Sequence, residues 1–328
     1  MNRPTMVWPG PARLTLVLLA VIPAVMAYPW QTVRDRWILG IAVAIVLLLL
    51  VWWRGLHLTT MLRRSVGMLL GNRAKRSVNQ NADWATVVLG IESSQPGDDV
   101  LPLPLLAGYL DRYGIRADSI QITSRDTAGS TARDTWIGLT LSAADNLAAL
   151  EARSASIPLV ETARVAARRL VDHLRETGWE AAIVDGEAVP ALVEPEDRER
   201  WRAVDSDAGY LAAYRVTVDA ELLETLRAVW THPAEETWTT VQITGSAADP
   251  SIAAACAFRT GKRPQGAAPL SGLTPQRGIH RAVLKAISPL TGDRLDGHAS
   301  VTPDALNRLR WPSSRRPGSP KKRRHAAA

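Results

Sequence analysis

The sequence predicts a two-helix transmembrane hairpin at the N-terminus followed by a cytoplasmic mixed α/β domain, itself read as a twofold βαββ repeat. Three observations predict this. Two strongly apolar runs lie near the start, joined only by PWQTVRDRW (29–37). Beyond residue 84, short β-branched runs alternate with segments of helical periodicity. Charge is also partitioned. Residues 1–76 carry 10 basic and 1 acidic side chains, and residues 308–328 carry 8 basic and none acidic. Residues 77–307 carry 21 basic against 31 acidic, so the formal +7 of the 328-residue chain hides an acidic body between basic ends.

The second apolar run, WILGIAVAIVLLLLVWW (37–53), has 17 residues and no charge. At about 1.5 Å per residue that meets the lower limit for crossing a hydrocarbon core of roughly 30 Å. Trp37 at one end and Trp52, Trp53 and Arg54 at the other are the residue types that anchor at a membrane interface, and Trp30 ends the preceding run. These five are the expected interface residues. The first run, LTLVLLAVIPAVMAYPW (14–30), contains Pro23, which membrane helices tolerate. It also has the Arg3 and Arg13 n-region and the small-residue site of a signal peptide. A retained span over 12–30 is the reading adopted beside that rival. By the positive-inside rule both termini then face the cytoplasm, in a multi-pass protein of the inner membrane. Residues 56–76 place Leu58, Leu62, Val66 and Leu69 on one face of an amphipathic helix. That face suits either the lipid headgroup layer or a packing partner.

The body is expected over 77–304, in halves of about 84–186 and 208–260. In the first half the strand 84–92 precedes a helix over 103–114, then strands 119–126 and 135–142. Helices follow over 144–154 and 159–178, and a strand over 179–186. The long helix is expected to bury Val160, Ala163, Ala167, Leu170, Val171 and Leu174, with an ion-pair ladder on its other side. The second half repeats strand, helix, strand, strand over 210–219, 221–230, 237–245 and 251–259. Residues 260–303, rich in glycine and proline, are read as irregular, and 305–328 as a basic disordered tail.

Motifs for chemistry are sparse. The nearest approach to a phosphate loop, at Gly261-Lys262, puts Cys256 where the first glycine belongs and Arg263 where the hydroxyl belongs. Histidines at 57, 173, 232, 280, 298 and 325 have no metal-ligand spacing. Cys256 alone excludes an intramolecular disulfide and reads as a small buried hydrophobe. One enzymatic alternative stands: Asp205-Ser206-Asp207 as a D-x-D that holds a divalent metal for a membrane-anchored glycosyltransferase. Glu235-Glu236 beside Trp238 is a further acid/base candidate, with a surface pair at a strand edge as its plainer account.

Five collinear segments resemble the EccE family of actinobacterial type VII (ESX) secretion. They are AYPWQTVRDRWILG (27–40), GYLDRYGIRADSIQITSRD (108–126), DNLAALEARSASIPL (145–159), PAEETWTTVQITGS (233–246) and PLSGLTPQRGIHR (269–281). The length is similar to the EccE type of the ESX system tied to metal and siderophore acquisition. The resemblance implies a non-enzymatic subunit of the inner-membrane secretion complex that supports protein export. It implies the lipid bilayer and EccB, EccC and EccD as partners, EccC being the ATPase, with no cofactor, nucleic acid or small-molecule substrate. The basic end, 305–328, matches nothing in the family pattern.

Overall fold

The computed structural model describes residues 83–93, 100–130, 132–152 and 158–312, with Ile22, Trp52–Trp53 and Leu56–His57 from the N-terminal part. By its contacts the chain divides into two units, Met1–Lys75 and Arg76–Ala328.

The first unit requires a correction. Trp52–Trp53 and Leu56–His57 are antiparallel strands, Trp52 facing His57 and Trp53 facing Leu56. That is the register of a tight hairpin, which tryptophan favours and a helix cannot accommodate. A helical span therefore does not run to Trp53, and no amphipathic helix begins at residue 56. Among the described residues no helix is long and apolar enough to cross a membrane. The remainder of the expected spans 12–30 and 37–53, including Trp30, Trp37 and Arg54, lies outside the described residues. The structure thus supports a mixed α/β body and, among the described residues, no transmembrane hairpin. The multi-pass inner-membrane placement and the cytoplasmic termini, which rested on that hairpin, fall with it.

The second unit is built on one antiparallel sheet. Its strands are β1 (Trp84–Ser93), β2 (Ile115–Thr127), β3 (Arg133–Ser142), β4 (Trp179–Val184), β5 (Gly209–Val216), β6 (Glu236–Gly245) and β7 (Pro250–Thr260). The order is β4-β1-β3-β2-β6-β7-β5, extended by the short strands Val204–Ser206 and Arg198–Glu199. Two strand triplets therefore enter in mirror order, β1-β3-β2 and β6-β7-β5, and meet through β2 and β6. At that seam Gln121 faces Gln242. Each opens a Gln-Ile-Thr tripeptide, 121–123 and 242–244. Identical tripeptides that start from a facing antiparallel pair are related by a local two-fold axis through that pair.

Both faces of the sheet are covered, so its central strands are buried on both sides. On one face Ile120, Ile122, Leu139 and Val241 pack with Ala163, Ala167, Leu170 and Leu174 of α1 (Leu159–Glu176) and Leu226 of α2 (Leu222–Thr231). Val160, expected in that stripe, is exposed instead. The opposite face carries Trp136 stacked on Trp238 at 5.7 Å, with Leu284 and Ile287 of α3 (His280–Ile287) over it. Helix α3 lies in the stretch read as irregular. Its last carbonyls have no intrahelical donors. Gln121 Nε2 reaches Ala286 O, Ile287 O and Ser288 O at 3.0, 2.9 and 3.2 Å, and Thr123 Oγ1 donates to Ile287 O at 3.0 Å. Its dyad mate Gln242 donates to Asp293 O and accepts from Leu295 N. The axis pair thus clamps the 286–295 strap to the sheet. Where the strap passes β3, a Cβ on Gly138 would stand 2.6 Å from Pro289 O, so only glycine fits.

Two further boundaries differ from expectation. The helix expected over 103–114 stops at Ala107. Asp111–Arg112 then pairs with Ile115–Arg116, and Tyr113 and Gly114, at φ 57° and 71°, form the turn between them. Positive φ at both turn positions is the geometry that matches the twist of a two-residue hairpin. At the other end, residues 305–312 are folded and not tail. Helix α4 (Pro303–Arg308) buries Leu306, and Leu309 and Trp311 follow it into the core. Trp311 Nε1 donates to Ser124 Oγ at 2.8 Å, and Trp311–Pro312 pairs with Val100–Leu101.

Candidate functional site

The enzymatic candidates do not assemble. Asp205 lies on a two-stranded turn, facing Tyr210, and its Oδ2 takes a hydrogen bond from Arg200 Nε at 3.3 Å. Ser206 faces Gly209, so Asp207 sits in the two-residue loop, exposed. A hairpin explains D-S-D-A-G without a metal, and no cluster of metal-ligating side chains occurs among the described residues. The glycosyltransferase alternative therefore has no assembled metal site among the described residues.

Glu235 and Glu236 are likewise not a catalytic pair. Glu235 is exposed, whereas Glu236 is buried between two arginines, bonded to Arg125 Nε and, at 2.7 Å, to Arg259 Nε. Burial pushes the Glu236 carboxyl up, but the Arg259 hydrogen bond and the two guanidinium charges outweigh it and hold it below the ordinary value. A carboxylate held this firmly is a structural anion. Cys256 is fully buried, and burial pushes its thiol up, so it is inert at neutral pH. Described histidines are dispersed as packing groups: His280 Nδ1 accepts from Ala213 N at 3.1 Å, and His173 Nδ1 lies 3.3 Å from the Tyr109 hydroxyl.

What the fold does assemble is a groove between α1 and the Tyr113 hairpin, with a cavity of about 240 Å³. Leu139 and Leu141 of β3, with Ile115 and Ala117 of β2, form its floor. Helix α1 supplies one wall through Glu161, Val165 and Arg169, spaced four residues apart and so on one face. The opposite rim is Arg112 and Tyr113. Arg112 Cζ stands 4.8 Å from the Tyr109 ring and 5.2 Å from the Tyr113 ring, and Arg169 Cζ stands 4.7 Å from Tyr113. Tyr109 is buried behind them and donates its hydroxyl to Arg169 O at 3.0 Å. Burial, offset in part by Arg112, pushes that phenol above its ordinary value, so it stays neutral and fixes α1 against the hairpin. At the mouth Tyr113 is 59% exposed and Val165 46% exposed. Sequence reasoning missed this site because it placed Tyr113 in a helix and read 161–176 as a solvated ladder. The signal available was Gly114 alone, which marks a turn as well as a helix end, since Tyr113 is not a residue type that favours the first position of such a turn.

Glu236 and Cys256 are locked in the interior and Asp205 and Asp207 stand on a hairpin, whereas the groove presents an apolar floor with an aromatic and basic rim, surface chemistry of the kind a binding protein uses. A family model described as "Putative type VII ESX secretion system translocon, EccE" matches residues 130–216. The chain is 50% identical over 292 residues to the ESX-3 secretion system protein EccE3 of Mycolicibacterium smegmatis, covering 89% of this chain and 92% of that protein. It is 52% identical over 312 residues to the protein of the same name from Mycobacterium tuberculosis CDC 1551, covering 93% of each. The chain belongs to the EccE family of type VII (ESX) secretion system proteins.

Proposed function

We propose that this chain is a structural subunit of an ESX-3-type secretion complex, supporting protein export by holding neighbouring subunits and carrying out no chemistry of its own. The observation that carries this reading is identity of 50% or more, across roughly nine-tenths of the chain, to ESX-3 secretion system proteins. The body is compatible with it. Glu236 and Asp126 are committed to internal ion pairs, while the surface offers an open groove. The partners we propose are the EccB, EccC and EccD types of subunit, with EccC supplying the ATPase work. The assembling part is the body expected over 77–304, extended by the folded residues 305–312, its halves 84–186 and 208–260 joined in one sheet.

The test is affinity purification of the tagged full-length chain from its native host in mild detergent, followed by native sizing and mass spectrometry. A large species that contains the EccB, EccC and EccD types is the expected result. A small, solitary species overturns the reading.

A further inference from the structure

Building on the scaffold reading above, we infer that the groove between α1 and the Tyr113 hairpin receives a segment of a partner subunit in which one large apolar side chain stands beside a carboxylate. Four observations lead there. First is size. Pockets for drug-sized ligands and cofactors run to about 300–1,000 Å³, and a cavity of about 240 Å³ with an open mouth suits one inserted side chain better. Second is lining. The floor of Ile115, Ala117, Leu139 and Leu141, continued by exposed Val165, gives an apolar side chain a surface to cover.

Third is charge. Arg112 and Arg169 stack on Tyr113 and have no carboxylate partner within ion-pair distance among the described residues. Glu161 is the one carboxylate of the lining, so the rim carries net positive charge on a body that is acidic over 77–307. A local basic rim on an acidic surface selects an acidic partner over a basic one. The occupant's carboxylate would then lie toward Arg112 and Arg169, away from Glu161.

Fourth is strain. Tyr113 holds φ 57° in a turn position that glycine, asparagine and aspartate occupy at least cost. That conformation throws its ring into solvent, where two guanidinium groups fix it. A bulky residue kept in a costly conformation, with its ring exposed and immobilised, is preorganised for contact. Tyrosine and arginine are also the types in which binding energy concentrates at interfaces.

The experiment places the photo-cross-linker p-benzoylphenylalanine at Tyr113 of the full-length chain in its native host. The complex is then purified and the cross-linked peptide sequenced. The expected product is one segment of another secretion subunit, with Asp or Glu within three residues of a Leu, Ile, Met or Phe. Combining Arg112→Glu with Arg169→Glu should reduce the yield on the order of tenfold. Changing the partner's carboxylate to lysine in that background should restore it. Val165→Glu, which leaves the strained turn untouched, should also reduce the yield while the melting temperature stays that of the parent.

Cross-linking to a segment without a carboxylate, to a second copy of this chain or to lipid overturns the inference. So does an absence of product when the complex itself is intact. A wild-type chain that travels alone instead overturns the scaffold reading, and this inference with it.

Discussion

Arg133 and the pair Arg112 and Arg169 belong to the side of the sheet that α1 and α2 cover, yet they are used in opposite ways. The Arg133 guanidinium is closed off from water. It grips both oxygens of Asp126 at 2.9 and 2.7 Å, donates to Pro312 O, and lies 5.1 Å over the Trp230 ring. Trp230 in turn meets Trp311 edge-on at 5.5 Å, so the ion pair locks the C-terminal segment to β2 and β3. Among the described residues the Arg112 and Arg169 guanidinium groups rest on aromatic faces, at a mouth open to solvent. One guanidinium completes the fold, and two are left for something outside it. Desolvation makes the difference: a buried charge must be fully satisfied from within, whereas a rim charge can await a partner at little cost.

The largest expected effect follows from the lock. Asp126→Ala leaves the Arg133 guanidinium buried without its counter-ion, its side chain 1% exposed in the folded protein. We expect a loss of about 3–5 kcal/mol in equilibrium denaturation. A loss under 1 kcal/mol would mean that water reaches Arg133 and that the contrast with the rim is false.

The lock and the clamp at the dyad were the parts least legible in sequence. Strands β2 and β6 could be read because β-branched residues alternate along them, as in Ser119-Ile120-Gln121-Ile122. Helix α3 could not, because His280–Ile287 spans eight residues between proline-rich loops and its C-terminal carbonyls are satisfied by Gln121 and Thr123, more than 160 residues earlier. No local window contains that information. Residues 305–312 read as tail because they run into the basic cluster of the C-terminus, although Leu306, Leu309 and Trp311 carry the contrary signal. The groove was hidden for a related reason. Its walls come from β2, β3, α1 and a hairpin, and only the fold brings Arg112 within reach of Tyr109 and Tyr113 together with Arg169.

Next in size is Gln121→Leu. It keeps the volume but withdraws the amide that serves three carbonyls at the end of α3. We expect a loss of about 2 kcal/mol, and faster amide exchange over 284–295 by mass spectrometry. Equal exchange in both proteins would show that the strap holds without the dyad pair.

A smaller effect, read through pH, concerns Glu236. Its folded carboxyl lies below the ordinary value of 4.5, so its contribution to stability is fully present above that pH and is lost as pH falls through the folded value. Glu236→Gln should therefore be less stable than the parent at pH 7, and the gap should close on acidification below about pH 4. A gap that stays constant from pH 7 to pH 3 would mean that Arg125 and Arg259 contribute hydrogen bonds to the site but no net charge coupling.

The smallest effect carries the other half of the comparison. Arg112→Ala and Arg169→Ala each remove a guanidinium that has no carboxylate partner among the described residues, only a ring to rest on. Exposed cation–aromatic contacts contribute about 0.5–1 kcal/mol, and part of that is recovered as solvent takes the place of the side chain. Each variant should therefore stay within about 1 kcal/mol of the parent in denaturation. The loss of a partner contact would appear only in the assembled complex. If either substitution instead costs as much as Asp126→Ala, then the rim arginines are structural after all. Tyr113 would then owe its unusual backbone conformation to packing within the chain, and the groove would have no claim as a place where another protein binds.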